Sequence, residues 1–172
     1  MQILTNYKVI VGTIGFILLS LFFINQASAA TTGTVAATVT VQNISVTVSD
    51  GSVAYGTLAT SAQGDTTAGG VNDSQTATND GNVSEDLDIK GENTTAWTLA
   101  GSIGADQYKH DFCITTCDST PTWTALTTSY QALATGVATS GTQIFDLRIN
   151  TPSSSTSFTQ QTATVTVLAS AS

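Results

Sequence analysis

Thr76–Ser102 reads TATNDGNVSEDLDIKGENTTAWTLAGS, and the two turns inside it decide what kind of chain this is. Asn79-Asp80-Gly81-Asn82 is a tight-turn signal, because Gly and Asn accept the positive φ that such turns require. Behind it, Val83, Leu87 and Ile89 fall on one side of a strand. A second polar turn, Gly91 to Thr95, leads into Trp97-Thr98-Leu99, where Trp97 and Leu99 share a face and Thr98 and Ala100 take the other. Read this way, the stretch is a hairpin followed by a strand at the centre of a two-sheet β-protein.

The pattern continues on both sides. Upstream, Gly33–Val41 alternates with Val35, Ala37, Val39 and Val41 on one face, which predicts a first strand. Ile44, Val46 and Val48 predict a second strand, closed by Asp50-Gly51, and Val53 and Tyr55 a third. Residues 61–73, SAQGDTTAGGVND, read as a polar Gly-rich loop. Downstream, Gln107–Ile114 carries Tyr108 and Phe112 on one face, and Trp123–Leu126 is a short strand with Tyr130–Leu133 as its expected partner. Gln143–Asn150 aligns Phe145, Leu147 and Ile149, and Gln161–Leu168 aligns Ala163, Val165 and Val167. After the N-terminal apolar run, no window has helical periodicity. Many short alternating strands with dense turn signals imply an all-β, immunoglobulin-like antiparallel β-sandwich with Greek-key connections.

The N-terminus has a different grammar. Val9–Ile24 is a continuous apolar run behind Lys8, and Ala27-Ser28-Ala29 supplies the small residues of a signal-peptidase site. Asn25 and Gln26 follow the run without stop-transfer charges, so residues 1–29 read as a signal peptide and residues 30–172 as a single sandwich domain. An uncleaved anchor is the alternative.

The chain beyond residue 29 holds Lys90, Lys109 and Arg148 against 12 acidic residues, a net charge of −9. Such a surface repels nucleic acid and anionic lipid, which excludes both as partners. Only 9% of the whole chain is charged, while Ser, Thr, Gly and Ala dominate, a composition that suits an exported β-protein better than a disordered tail.

Candidate chemistry is sparse. Cys113 and Cys117 form a C-x3-C pair, and in an exported chain a lone pair reads as a disulfide. The rival reading is a metal site using His110, three residues before Cys113, but a structural zinc site needs four ligands and the sequence holds no further Cys or His. Acid–base or nucleophilic catalysis lacks its usual parts: there is one histidine and no Gly-x-Ser-x-Gly elbow. Glu85, Asp86 and Asp88 are close in sequence, but alternation puts Glu85 on the face opposite the two aspartates, all on an expected solvated surface, so they do not form a glycosidase pair. With Asp80 these carboxylates are a candidate for weak Ca²⁺ binding, although the spacing of an EF-hand is missing. Trp97, Tyr108, Trp123 and Tyr130 are either core aromatics or a stacking platform for sugars. Leu87 and Leu99 beside Trp97 favour core for that residue, leaving Trp123 and Tyr130 as candidate ligand aromatics. No catalytic residue, metal site or cofactor is expected.

Three segments together resemble the WxL domain of bacterial cell-surface proteins. Val53-Ala54-Tyr55-Gly56-Thr57-Leu58 is similar to an aromatic-Gly strand near that domain's start, and Trp97-Thr98-Leu99-Ala100-Gly101-Ser102 to its first Trp-x-Leu motif. Asp146–Pro152, Phe158 and Thr162–Leu168 resemble its closing segment, with valine in place of the second tryptophan. The resemblance implies a secreted, extracellular, cell-envelope protein. Its expected partners are cell-wall polysaccharide, peptidoglycan or surface proteins, with Trp97 and Leu99 as motif residues. Two other functions fit the same features: a self-assembling surface or matrix fibre subunit joined by strand addition, and a carbohydrate-binding module.

Overall fold

The computed structural model describes residues 32–172, so the expected signal peptide and cleavage site lie outside the described residues. The chain divides into Met1–Val39 and Thr40–Ser172. Of the first unit, the described residues 32–39 form no strand or turn and are exposed throughout.

The second unit is the antiparallel sandwich that the alternation predicts. Its strands are β1 (Val46–Ser49), β2 (Gln63–Asp65), β3 (Gln75–Asn79), β4 (Glu85–Gly91), β5 (Thr98–Leu99), β6 (Gln107–Cys113), β7 (Thr124–Ala125), β8 (Gln131–Val137), β9 (Thr142–Asn150) and β10 (Val165–Ala171). One sheet has seven strands, ordered β1-β3-β9-β6-β5 with β2 on β9 and β7 on β6; the other has three, β10-β4-β8. β9 is the spine of the larger sheet. Its first half pairs with β3, Gln75 opposite Phe145, and its second half pairs with β6, Phe112 opposite Leu147.

The core lies between these sheets, because β strands turn alternate side chains to one face. Leu87 and Ile89 from β4 meet Tyr108 and Phe112 from β6 and Phe145, Leu147 and Ile149 from β9, all buried. At roughly 1.5–3 kcal/mol for each large side chain removed from water, this cluster supplies most of the driving force for folding.

Several local expectations change. Asn79–Asn82 is a turn, but β3 and β4 lie in different sheets, so it is an arch between layers and no hairpin. The Asn79 side chain holds that arch: its Oδ1 accepts from Gly81 N at 2.8 Å, and its Nδ2 donates to the Val83 and Val137 carbonyls, each at 2.8 Å. The middle of the small sheet is β4, while Trp97-Thr98-Leu99 sits at an edge, with β5 pairing parallel to β6. Tyr130–Leu133 does not pair with Trp123–Leu126; β8 joins β4 and β7 joins β6. Local adjacency suggested a hairpin, yet Leu133 reaches the core from the opposite sheet. The Gly-rich loop is tied down as well. It contains β2, and the fully buried Thr66 donates to Asp146 Oδ1 at 2.7 Å while accepting from Leu147 N at 2.9 Å.

The largest difference is at the N-terminus. Gly33–Val41, the expected first strand, joins no sheet among the described residues, its one bond to the sandwich being from Asn82 Nδ2 to the Val41 carbonyl at 2.8 Å, and Val35, Val39 and Val41 are 94, 92 and 81% exposed. Alternation marks a sequence that fits a half-buried strand; it does not say which sheet, or which molecule, supplies the other half.

Candidate functional site

An open groove of about 560 Å³ lies between the two sheets. Phe145, Leu147 and Ile149 of β9 and His110 of β6 form its floor. Val48 and Val53 stand on one side, and Thr162–Val165 with Val167 form the other. The rim valines pack on the core yet remain only half-buried. β10 borders the groove and pairs with β4 alone, so every second residue along it turns its N–H and C=O outward, unpaired. Gln161 fixes the approach to β10, since its Oε1 accepts from Thr94 Oγ1 at 2.9 Å and from Ala96 N at 3.0 Å.

Beneath the groove, His110 Nε2 lies 3.1 Å from the Tyr55 hydroxyl. Burial depresses the His110 pKa to about 4, with the nearby Asp111 charge acting weakly in the opposite direction. Burial also raises the Tyr55 hydroxyl pKa, assisted by Asp65, Asp73 and Asp146. Both groups are therefore neutral near pH 7. With neither group ionised, the pair has the chemistry of a core hydrogen bond, and it adds no charge to a groove of mixed lining, in which Ser52, Gln75, Gln160 and Gln161 stand beside the valines.

Cys113 and Cys117 are disulfide-bonded with Cα atoms 5.9 Å apart, as the sequence led one to expect. That bond occupies both sulfurs, and His110 turns to Tyr55, so the three residues are not a ligand set. Among the described residues no cluster of three or more His, Cys, Asp or Glu is placed to hold a metal ion. The carboxylates suggested for Ca²⁺ are dispersed. Asp80 accepts from Thr47 Oγ1 at 2.6 Å, and Asp86 accepts from Gly136 N at 2.8 Å and Ser172 Oγ at 2.9 Å. Glu85 is fully buried, which overturns its expected place on a solvated surface. It shares parity with Val83, Leu87 and Ile89, and that signal was present in the sequence. Its Oε1 accepts from Ser45 N at 2.8 Å, while its Oε2 has no partner among the described residues.

The aromatics do not form one platform. Trp97 is half-buried, donates from Nε1 to Ser155 Oγ at 2.8 Å, and lies 6.2 Å from the Tyr108 ring. Leu99 is buried, held by a bond from its N–H to Asn93 Oδ1 at 2.9 Å, and it fills the space beside Gly91, where an added Cβ would lie 2.8 Å from Leu99 Cδ2. Both motif residues thus belong to internal packing. Trp123 is covered on one face by the Arg148 guanidinium, 4.6 Å from the ring. Arg148 is itself held by bonds of 2.9 and 2.7 Å to Asp111 Oδ2. Tyr130 stands 41% exposed with Lys90 Nζ 5.2 Å from its ring. Arg148 is on β9 and Lys90 on β4, so the two candidate ligand aromatics are served by different sheets.

Comparison of the chain with protein-family models, characterised proteins and solved structures finds no match.

Proposed function

We propose that the protein is a non-enzymatic subunit of an extracellular surface or matrix fibre, and that it self-associates by adding a strand of one copy to the sheet of another. One observation carries this reading: a nine-residue segment with the alternation of a strand, Gly33–Val41, leaves its valines in water. Burying a valine is worth roughly 1.5–3 kcal/mol, so an exposed row of them is costly unless a partner covers it. Strand addition covers it and satisfies the backbone groups together. The separation of His110 from surface carboxylates, and the scatter of the remaining aromatics, support a binding role over hydrolysis.

The experiment is negative-stain microscopy and light scattering on the chain starting at Ala30, across a concentration series. Filaments that appear above a critical concentration, and are lost on Val35→Asp with Val39→Asp, are the expected result. Wall attachment is the second reading, supported by the likeness of Tyr55-Gly56, Trp97-Thr98-Leu99 and the Asp146–Pro152 segment to the WxL domain. A protein that stays monomeric at all concentrations but co-sediments with purified cell walls would replace the first reading with the second.

A further inference from the structure

We infer that the acceptor for the arm is the groove beside β10 of a second copy. There residues 33–41 become the fourth strand of the small sheet, with Val35, Ala37, Val39 and Val41 turned inward over Phe145 and Leu147. The inference rests on the self-assembly reading and says where the strand goes.

The first support is a repeat in the sequence. Ala37-Thr38-Val39-Thr40-Val41 is identical to Ala163-Thr164-Val165-Thr166-Val167, the segment that lines the groove and opens β10. In the second copy, Ala163, Val165 and Val167 are half-buried toward the core while Thr162 and Thr164 face out. A strand laid beside β10 needs the same order, apolar inward and threonine outward, because neighbouring strands share the pleat. The arm has it at every position from Thr38 to Val41.

The second support is the choice of edge. Natural sheet edges are blunted by charge, proline, bulges or shortness. β8, the other edge of the small sheet, is irregular: its register with β4 shifts on both sides of Leu87, and Gly136 takes a φ of 64°. β1, at the edge of the large sheet, is only four residues long and runs into Asp50. β10 has none of these protections. It is seven residues long, regular in register with β4 from Val165 to Ala171, and free of charge and proline.

The third support is electrostatic. Copies carrying −9 repel one another, so a joint between them must be made from neutral segments. Residues 30–49 and 151–172 contain no charged side chain. Arm and acceptor are therefore both drawn from uncharged tracts of the chain. Length agrees as well: nine residues in a strand reach about 30 Å, close to that of Gln161–Ala169 on the other side of the joint.

The test is disulfide mapping between two populations of the chain starting at Ala30. One carries Val35→Cys, Val39→Cys or Val41→Cys, and the other Val165→Cys or Val167→Cys. Mixed under mild oxidation, inward–inward pairs should give covalent dimers in a single register, and Thr38→Cys or Thr40→Cys against the same acceptors should not. Filaments without any arm–β10 bond would overturn the groove and leave the fibre reading standing. A bond formed within one molecule, in a chain carrying both cysteines at high dilution, would also overturn it, because the arm would then fill its own groove. A second measurement does not depend on cysteine variants. A synthetic peptide of residues 33–42 should bind the chain starting at Asn43 saturably, with one peptide per chain, and its Val39→Asp version should bind at least ~10-fold more weakly, since an aspartate cannot be buried there unpaired. Equal binding of both peptides, or none, rejects the groove as acceptor whatever the state of the filaments.

Discussion

The Tyr55 hydroxyl and His110 Nε2 lie 3.1 Å apart at the floor of the groove, and His110 is only 2% exposed. Its pKa is depressed from 6.5 to about 4, chiefly by burial. A base whose folded pKa is depressed binds its proton more readily in the unfolded chain, so unfolding takes up a proton in the window between these values. Stability contributed by the neutral ring is present above pH ~6.5, falls as pH drops toward ~4, and changes no further below it. The loss across that window is about 3 kcal/mol. Denaturant melts at pH 7, 5 and 4 should show this fall in the wild type. His110→Asn should lack it, retaining only the slope that carboxylates contribute. Parallel pH profiles for the two proteins would mean that His110 does not titrate differently on unfolding.

Asn79→Ala should destabilise the sandwich by about 3 kcal/mol. The substitution removes three hydrogen bonds of a fully buried side chain at once, takes that partner from the Gly81 amide and the Val83 carbonyl, and leaves the Val137 carbonyl only a long 3.4 Å bond from Ser84 Oγ. Asn82→Ala, in the same turn but exposed, should cost less than half as much; among the described residues its side chain bonds only to Asn43 N and the Val41 carbonyl. The comparison is made by chemical melts at constant pH. Equal costs would show that Asn79 serves only as a turn former.

These residues also mark how far the sequence could be read. Turn chemistry located Asn79–Asn82 correctly, because the backbone requirement is local. Whether a turn joins neighbours in one sheet or crosses between sheets depends on the distant partners of β3 and β4, which no local pattern contains. Alternation gave the inward faces of β6 and β9 for the same local reason. It failed at Glu85, where chemical type outweighed parity, and at Gly33–Val41, where parity was right and a partner was assumed. The disulfide was legible from two cysteines in an exported-looking chain. The groove was not, since it is made where β1, β9 and β10 come together from opposite ends of the sequence.

Trp97→Ala should cost about 2–3 kcal/mol, less than a fully buried tryptophan because the ring is half-buried, but including its packing near Tyr108 and its bond to Ser155. Trp123→Ala should cost about 1 kcal/mol, the scale of its stacking with Arg148. Midpoints of urea melts give the order directly. If Trp123 proved the costlier loss, the Arg148–Asp111 ion pair, with Asp111 fully buried, would have to depend on the indole above it.

Assembly should accelerate with salt. Each chain beyond residue 29 carries three basic and 12 acidic residues, so two approaching copies repel over a distance set by the Debye length. That length is about 30 Å at 0.01 M salt and about 8 Å at 0.15 M, so at low salt the repulsion reaches across a joint whose own surfaces are neutral. The proposed strand pairing would use valines and backbone hydrogen bonds, which salt screens little. Ionic strength should therefore act on the encounter rate and leave the dissociation rate nearly unchanged. Lowering the pH toward the isoelectric point, near 4.1 for the full 172-residue chain, should have the same accelerating effect by removing the charge itself, until the loss of His110-linked stability opposes it. Light scattering of the chain starting at Ala30 at 10 and 150 mM sodium chloride, followed by dilution to read disassembly, separates the two rates. Assembly that slows as salt is added would mean that opposite charges draw the copies together. The uncharged arm and β10 would then not be the whole of the joint, and Lys90, Lys109 or Arg148 would have to be part of it.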